Sequence, residues 1–241
     1  MAQVVAKAEQ QKDNLCGPFC AARILNVDQD LVALGAGTHL PTETEDPSVP
    51  HGARSRTDYH YELPRAPSAE SGTSPVGLIK AIESLSGGAQ KCVPLSGEWT
   101  AERVEMLVDQ APSLGARLVA NIRTGKLWGS HASAEELLAE LNRQTTAVPP
   151  ADWDVGHFVE LTMLIRGPKG SLVVVHDTYP TLGLNGYHLQ PARAVAAALV
   201  RGDGRKGGIL AVAPPERANA VAALARELGL EVAAWDNGCK S

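Results

Sequence analysis

The sequence is poor in aromatic residues and cysteine, and it has no long apolar run. Phe, Trp and Tyr make up 4% of its 241 residues, and 4 residues are Cys. No run approaches the roughly 18 consecutive apolar residues of a membrane span, and the first residues lack the basic and apolar regions of an export signal. The four cysteines have no paired spacing, which favours a reducing compartment over a disulfide framework. We therefore expect a cytoplasmic protein with no membrane partner.

An excess of positive charge is also missing. The 22 Lys and Arg residues are dispersed and are outnumbered by 27 Asp and Glu residues, which argues against a nucleic-acid partner. There is no internal repeat, phosphate-binding glycine loop or dinucleotide fingerprint, so no cofactor is predicted. The length and the 44% of hydrophobic residues fit one globular domain. The sequence leaves the oligomeric state open.

The most informative segment runs from Gln10 to Leu25 and contains Cys16. Gly17 and Pro18 follow the cysteine, and proline is tolerated in the first turn of a helix, where its missing N–H has no partner to lose. Cys16 is therefore predicted at a helix N-terminus, where the helix dipole favours the nucleophilic thiolate. Most cysteines at helix starts are small buried apolar residues, so this position alone assigns no function.

A second segment places a histidine near a carboxylate. Residues 154–161 and 171–177 are typical of strands, and the turn residues between them predict a hairpin. Folding about residue 168 brings His157 and Asp177 to nearly the same level. Asp177 is then within reach of the imidazole and can orient it as a general base.

Three other histidines are weaker candidates for the base. His131 lies in a loop of small residues without a neighbouring carboxylate, and His188 has no better support. His176 alternates away from Asp177 along the strand, so one of these two must face away from the site.

Together, the motifs Q-x5-C-G, G-H-F and a hydrophobic strand ending in Asp resemble those of papain-like cysteine peptidases. They are most similar to the double-glycine leader peptidases and phytochelatin synthase. The resemblance implies that Cys16 is the nucleophile, His157 the general base and acid, Asp177 the residue that orients the imidazole, and Gln10 the oxyanion donor. Gln11 stands beside Gln10, so the choice between the two stays open.

The resemblance also implies a fold and a reaction. The fold is α+β, with the nucleophile helix packed on an antiparallel sheet of about residues 116–122, 156–166, 171–177 and 208–213. The reaction is cleavage of a peptide or amide substrate through a Cys16 thioester. An amine or thiol acceptor would instead make the protein an acyltransferase or peptide ligase, and an inactive peptide-binding module is the non-enzymatic alternative.

We expect a single papain-like domain that spans residues 1–241 and carries an insertion and a C-terminal appendage. A Pro-rich insertion at about residues 36–74 is either a disordered segment or a lid, and for a lid we expect Arg54 and Tyr59 to bind substrate beside Gly156. The histidines of the insertion match no metal-ligand spacing, and the Cys16 and Cys20 pair lacks a second pair, so no metal is predicted. A helix at 215–228 and a short strand at 231–235 are expected in a C-terminal appendage of about residues 214–241.

Overall fold

The structure, a computed structural model, describes residues 10–43, 49–144 and 147–240. Residues 44–48 of the predicted insertion lie outside the described residues. The first nine residues, which are predicted to lack an export signal, also lie outside them. The described helices are α1 (Cys16–Leu25), α2 (Gln29–Ala36), α3 (Pro75–Leu85), α4 (Ala101–Gln110), α5 (Ala134–Leu141), α6 (Ala192–Val200) and α7 (Pro215–Glu227). None of them is both long enough and apolar enough to cross a membrane.

The helices begin where the sequence offers a capping side chain or a proline. The Ser74 side chain accepts a hydrogen bond from the Gly77 N–H at the start of α3, and Thr100 does the same for the Arg103 N–H in α4. Ser133 and Glu136 form a reciprocal capping box at the start of α5. These bonds satisfy amides that have no partner within the helix, and they explain why the three helices begin at these positions.

The strands form one large antiparallel sheet and one short parallel pair. The parallel pair is β1 (Leu40–Pro41) with β2 (Arg65–Ala66). The large sheet contains β3 (Lys91–Leu95), β4 (Arg117–Arg123), β5 (Gly156–Arg166), β6 (Ser171–His176), β7 (Tyr187–Pro191) and β8 (Gly208–Ala213), in the order β3-β8-β4-β5-β6-β7. The fold class is therefore α+β, and the predicted hairpin of β5 and β6 is confirmed.

The predicted sheet lacked its two edge strands. Pro94 lies inside β3 and Pro191 ends β7, and a proline weakens the strand pattern although an edge strand tolerates it. The short strand predicted at 231–235 is wrong, because only Glu231 makes an isolated bridge, to Ser96. From there the chain runs to Trp235, which packs against the backbone of Gly208.

Two hydrophobic clusters hold the helices on the sheet. The first lies under α4, α6 and α7, and the second under α1, α2 and α3. The C-terminal segment predicted as an appendage is part of the first cluster, since Val221, Leu224, Ala225 and Leu228 are buried there. Burial of these side chains against the sheet makes α7 part of the core.

Helix α1 is fixed to the sheet by a close contact and by an ion pair. A Cβ atom at position 17 would lie 3.1 Å from the Phe158 ring, so glycine lets the first turn of α1 approach β5. Near the other end of α1, Arg23 Nε lies 2.9 Å from Glu160 Oε1 on β5, and Arg117 lies 2.5 Å from the other oxygen of this buried carboxylate. These contacts bring the start of α1 to the start of β5.

A buried ion pair fixes the loop that precedes Cys16. Lys12 Nζ lies 2.6 Å from Asp30 Oδ2, and both side chains are almost fully buried. Asp30 Oδ2 also accepts a 2.6 Å hydrogen bond from the His60 N–H. The hydroxyl of Tyr59 donates a 2.9 Å hydrogen bond to the Asp13 carbonyl. The loop is therefore held between α2 and the 55–60 segment.

We predict that Lys12→Met destabilises the protein by about 3–5 kcal/mol, because it leaves the Asp30 carboxylate buried without its cation. The matched control is Lys91→Met, which breaks the exposed Lys91 to Glu83 ion pair and should cost at most about 1 kcal/mol. Urea unfolding measures the free energy of unfolding of both variants. Equal losses in the two variants would contradict the importance assigned to Lys12.

Candidate active site

The structure brings together Cys16, His157 and Asp177 from three separate elements. Cys16 is the first residue of α1, His157 is the second residue of β5, and Asp177 directly follows β6. Cys16 and His157 line one cavity of about 250 Å³. The other lining residues come from the loop before α1, the 68–73 segment, the end of the sheet and the C-terminal tail: Gln11, Asn14, Pro41, Ser68, Ser71, Gly72, Thr73, Asn121, Arg123, Trp153, Val155, Gly156, Phe158, Arg201, Arg205, Asn237 and Cys239.

His157 and Asp177 form a buried hydrogen-bonded pair. His157 Nε2 lies 3.1 Å from Asp177 Oδ1, and each side chain is only 2% exposed. The same carboxylate oxygen accepts hydrogen bonds from the backbone N–H groups of Thr178, at 2.7 Å, and Tyr179, at 3.1 Å. Burial opposes ionisation of Asp177, but the charge and hydrogen bond of His157, together with His188, hold its pKa well below the ordinary value.

The surroundings of His157 favour the imidazolium. Burial lowers its pKa, but the charge and hydrogen bond of Asp177 and the contact with Cys16 raise it, with a net increase from 6.5 to about 10. Trp153 lies edge-on at 5.1 Å between ring centroids, and Tyr179 stacks at 6.1 Å. These rings shield the ion pair from water, which strengthens its electrostatic interaction.

Cys16 and His157 line the same cavity, and their interaction helps to raise the pKa of the imidazole. His157 Nε2 faces Asp177 and Thr178, and Nδ1 is the ring nitrogen that these two residues leave unused. Cys16 is partly exposed to the cavity, and its own N–H heads α1, where no intrahelical acceptor exists.

The other three cysteines are in environments that favour the neutral thiol. Burial raises the pKa of Cys92 to about 12 and that of Cys20 well above its ordinary value. Burial and the Cys16 charge raise the pKa of Cys239 to about 11, although Arg205 and Arg201 oppose the increase. Cys239 lines the same cavity, where its thiol donates a 3.0 Å hydrogen bond to the Ser71 carbonyl.

The structure places Gln11, and not Gln10, in the cavity. The Gln10 side chain donates a hydrogen bond to the Arg54 carbonyl, so the expectation that it reaches the oxyanion site is wrong. Gln11 Oε1 accepts a 2.5 Å hydrogen bond from the Thr178 hydroxyl. Gln11 Nε2 donates one proton to the Lys12 carbonyl at 3.2 Å, which leaves its second proton free for a ligand. The direction of the backbone at these two residues places the Gln11 side chain in the cavity and the Gln10 side chain outside it.

The expected substrate contacts of the insertion are also corrected. Arg54 is exposed and neither its side chain nor that of Tyr59 lines the cavity, so the prediction that they border the cleft is wrong. Tyr59 instead packs beside Leu15 and supports the loop before Cys16 from outside. Within the described part of the insertion, Pro41 and the 68–73 segment reach the cleft, and Gly156 also lies there.

Sequence reasoning underestimated His188 and overlooked Thr178. Gln190 Nε2 donates to His188 Nδ1 at 2.9 Å, so the His188 proton is on Nε2, which lies 3.6 Å from Asp177 Oδ2. A strand prediction for β7 would have placed His188 beside β6, because the register pairs it with Val175. His176 points away, as expected, and contacts Arg23 Nη1 at 2.7 Å.

The C-terminal tail forms one wall of the cavity. The indole N–H of Trp235 donates to Asn121 Oδ1 at 3.2 Å, and Asn121 Nδ2 donates to the His157 carbonyl at 3.3 Å. Asn237 Nδ2 donates a 3.0 Å hydrogen bond to the Thr73 carbonyl. The tail is therefore connected to the histidine and to the 68–73 segment.

One group of side chains in the described residues has the proximity that a metal ion requires. Ligand atoms of Asp28, Asp30 and His60 lie within 4.8 Å of one another. The ammonium group of Lys12 already lies 2.6 Å from Asp30 Oδ2, and a second cation there would be repelled. The geometry therefore favours an ion-pair network at this position.

We predict that His157 stays protonated from pH 5 to pH 8, because its pKa is raised to about 10. NMR of the imidazole C–H signals, assigned with a His157→Gln variant, should show no titration in this range. Asp177→Asn should lower the titration midpoint, since it removes the carboxylate charge while burial remains. A wild-type midpoint near 6.5 would contradict the buried ion pair.

The same raised pKa predicts how stability depends on pH. His157 binds its proton more tightly in the folded protein than in the unfolded chain. Its contribution to the free energy of unfolding is therefore complete below pH 6.5 and is lost as pH rises toward about 10. The difference in free energy of unfolding between the wild type and Asp177→Asn should therefore shrink over that range. A difference that grows between pH 7 and pH 10 would contradict this assignment.

Comparison with known proteins identifies the family to which the chain belongs. A family model described as a family of unknown function, DUF6885, matches residues 1–236. Comparisons with curated proteins and with solved structures give no match. The match extends over both cysteine-containing and histidine-containing segments of the site. The chain is therefore a member of the DUF6885 family.

Proposed function

We propose that this protein is a papain-like cysteine enzyme that cleaves a peptide or amide bond through a thioester on Cys16. The observation that carries the proposal is the thiol at the start of α1, which shares one cavity with an imidazole that is hydrogen-bonded to the buried Asp177 carboxylate. The nucleophile, the base and the orienting group are therefore neighbours in the order that this mechanism requires. The helix packed on an antiparallel sheet agrees with this type of enzyme.

In the first step, the Cys16 thiolate attacks the substrate carbonyl carbon and the carbonyl oxygen becomes an oxyanion. The N–H of Cys16 and the unused amide proton of Gln11 are the donors available for this oxygen. Such donors accelerate a reaction because they are already oriented toward the developing charge. Thr178 holds Gln11 through the opposite end of its amide, so the donor end stays directed away from Thr178.

In the second step, the imidazolium of His157 donates its proton to the leaving amine, and the C–N bond breaks. Asp177 stabilises the imidazolium before this transfer and keeps the ring oriented during it. The neutral imidazole then removes a proton from the acceptor that attacks the thioester. Water as acceptor releases an acid, which is hydrolysis, whereas an amine releases a new amide, which is acyl transfer.

We predict that Cys16→Ala lowers kcat/KM for a cleaved peptide by at least about 10³-fold while the protein remains folded, because only the nucleophilic sulfur is lost. The matched control, Cys92→Ala, removes a thiol on β3 that does not line the cavity and should retain activity. A peptide library, with and without added amine, measured by mass spectrometry, separates hydrolysis from acyl transfer. Full turnover by Cys16→Ala, or peptide binding without any product, would overturn the proposal.

We predict that Gln11→Ala lowers kcat by about 10²–10³-fold with a smaller effect on KM, because an oxyanion donor acts mainly in the transition state. Gln10→Ala serves as the neighbouring control and should change kcat little, since its side chain binds the Arg54 carbonyl. Thermal unfolding of both variants checks that the fold survives. Equal losses of kcat in the two variants would show that Gln11 has no special role.

A further inference from the structure

Three arginines line the cavity that contains Cys16, and no Asp or Glu among the described residues does so. They are Arg123 at the end of β4, Arg201 directly after α6, and Arg205 in the turn before β8. The imidazolium of His157 is already paired with the buried Asp177 carboxylate, so these two charges cancel each other. The charge that a ligand meets in this cavity is therefore set by the three guanidinium groups.

Arg201 lies against the start of β5, next to the base. A Cβ atom at Gly156 would be only 2.8 Å from Arg201 Nη2, so the guanidinium covers the backbone of the residue before His157. Arg201 Nε and Nη2 bind both oxygens of Asp203, at 3.1 and 2.7 Å, and Nη1 donates to Asn121 Oδ1 at 3.3 Å. These bonds fix Arg201 and neutralise most of its charge.

Arg123 and Arg205 differ in how fully their charges are neutralised. Arg123 Nε lies 2.5 Å from Asp154 Oδ1, and its Nη1 lies 3.5 Å from Asp203 Oδ2, which Arg201 already engages. Arg205 has no ion pair within the described ranges, and its side chain donates only to the Ala69 carbonyl. Three cations thus share two carboxylates, and one positive charge remains, centred on Arg205.

Arg205 lies at the border of the cavity, beside the C-terminal tail. A Cβ atom at Gly238 would lie 2.6 Å from Arg205 Nε, so the side chain runs along the backbone of the C-terminal tail beside Cys239. The Arg205 Nε and Nη1 groups have no acceptor among the described residues, although the side chain is partly exposed and lines the cavity. The Ala69 carbonyl uses one of the two Nη2 protons, so the other Nη2 proton and a proton of Nε or Nη1 leave one forked edge of the guanidinium for a carboxylate.

We propose that Arg205, supported by Arg123 and Arg201, forms a carboxylate-binding subsite, so that the substrate carries a carboxylate within one or two residues of the bond that Cys16 attacks. This inference rests on the proposed function. The short reach follows from the cavity itself, because a volume of about 250 Å³ contains both Cys16 and the arginines. Binding a remote carboxylate holds the reacting carbonyl in place, which raises the rate of attack.

The first test uses two alkylating agents that differ in one charge. Iodoacetate carries a carboxylate and iodoacetamide does not, and the rate of each at Cys16 is followed by peptide mapping. Arg205→Met should lower the ratio of the iodoacetate rate to the iodoacetamide rate by at least about threefold, and added salt should lower it in the wild type. Arg205→Lys should lower this rate ratio less than Arg205→Met does. The exposed control Arg226→Met should leave the rate ratio unchanged.

The second test identifies the source of the carboxylate. Matched peptides carry Asp or Asn near the scissile bond, or a free or amidated C-terminus, and kcat/KM is measured for each. One acidic member of a pair should be preferred by about tenfold, and Arg205→Met should abolish that preference. The pair that shows it distinguishes a side-chain carboxylate from a terminal one.

The outcomes separate this inference from the proposed function. If Cys16 is alkylated selectively but the rate ratio is the same in the wild type and Arg205→Met, the subsite is wrong and the thiol enzyme stands. If Cys16 is no more reactive than the other thiols, the proposed function fails. Equal turnover of acidic and neutral peptides would also overturn the subsite.

Discussion

The site depends on two charges that are buried together. His157 and Asp177 are each only 2% exposed, and removing either charge from water costs several kcal/mol unless a partner compensates it. The two ions compensate each other, and the backbone amides of Thr178 and Tyr179 donate hydrogen bonds to the carboxylate. The neighbouring aromatic rings keep water away from the pair. Since this compensation needs exact contacts, the ends of β5 and β6 and the loop before α1 are held in fixed positions.

The same constraint explains why distant parts of the chain meet at the cleft. Gly17 and the Arg23 to Glu160 ion pair bring α1 to the sheet, while Lys12 and Asp30 fix the loop that precedes it. The C-terminal tail then covers the opposite side through Trp235 and Asn237. Most of these contacts join residues far apart in sequence, so long-range packing between described segments builds the cavity.

Local signals in the sequence predicted much of this arrangement. Pro18 marked the start of α1, and the turn at residues 166–170 identified the hairpin that brings His157 and Asp177 together. Long-range features could not be predicted in this way. The edge strands contain prolines, the choice of Gln11 depends on backbone direction, and the arginine wall combines residues from three separate turns and strand ends.

The most direct test of the central claim compares the reactivity of the four thiols at neutral pH. Trace iodoacetamide is added to the folded protein, and the alkylation rates of Cys16, Cys20, Cys92 and Cys239 are obtained by mass spectrometry. The account predicts that Cys16 reacts at least about tenfold faster than the other three, and that Asp177→Asn removes most of this advantage although the exposure of Cys16 is unchanged. Equal rates for all four thiols, or an advantage that survives in Asp177→Asn, would contradict it.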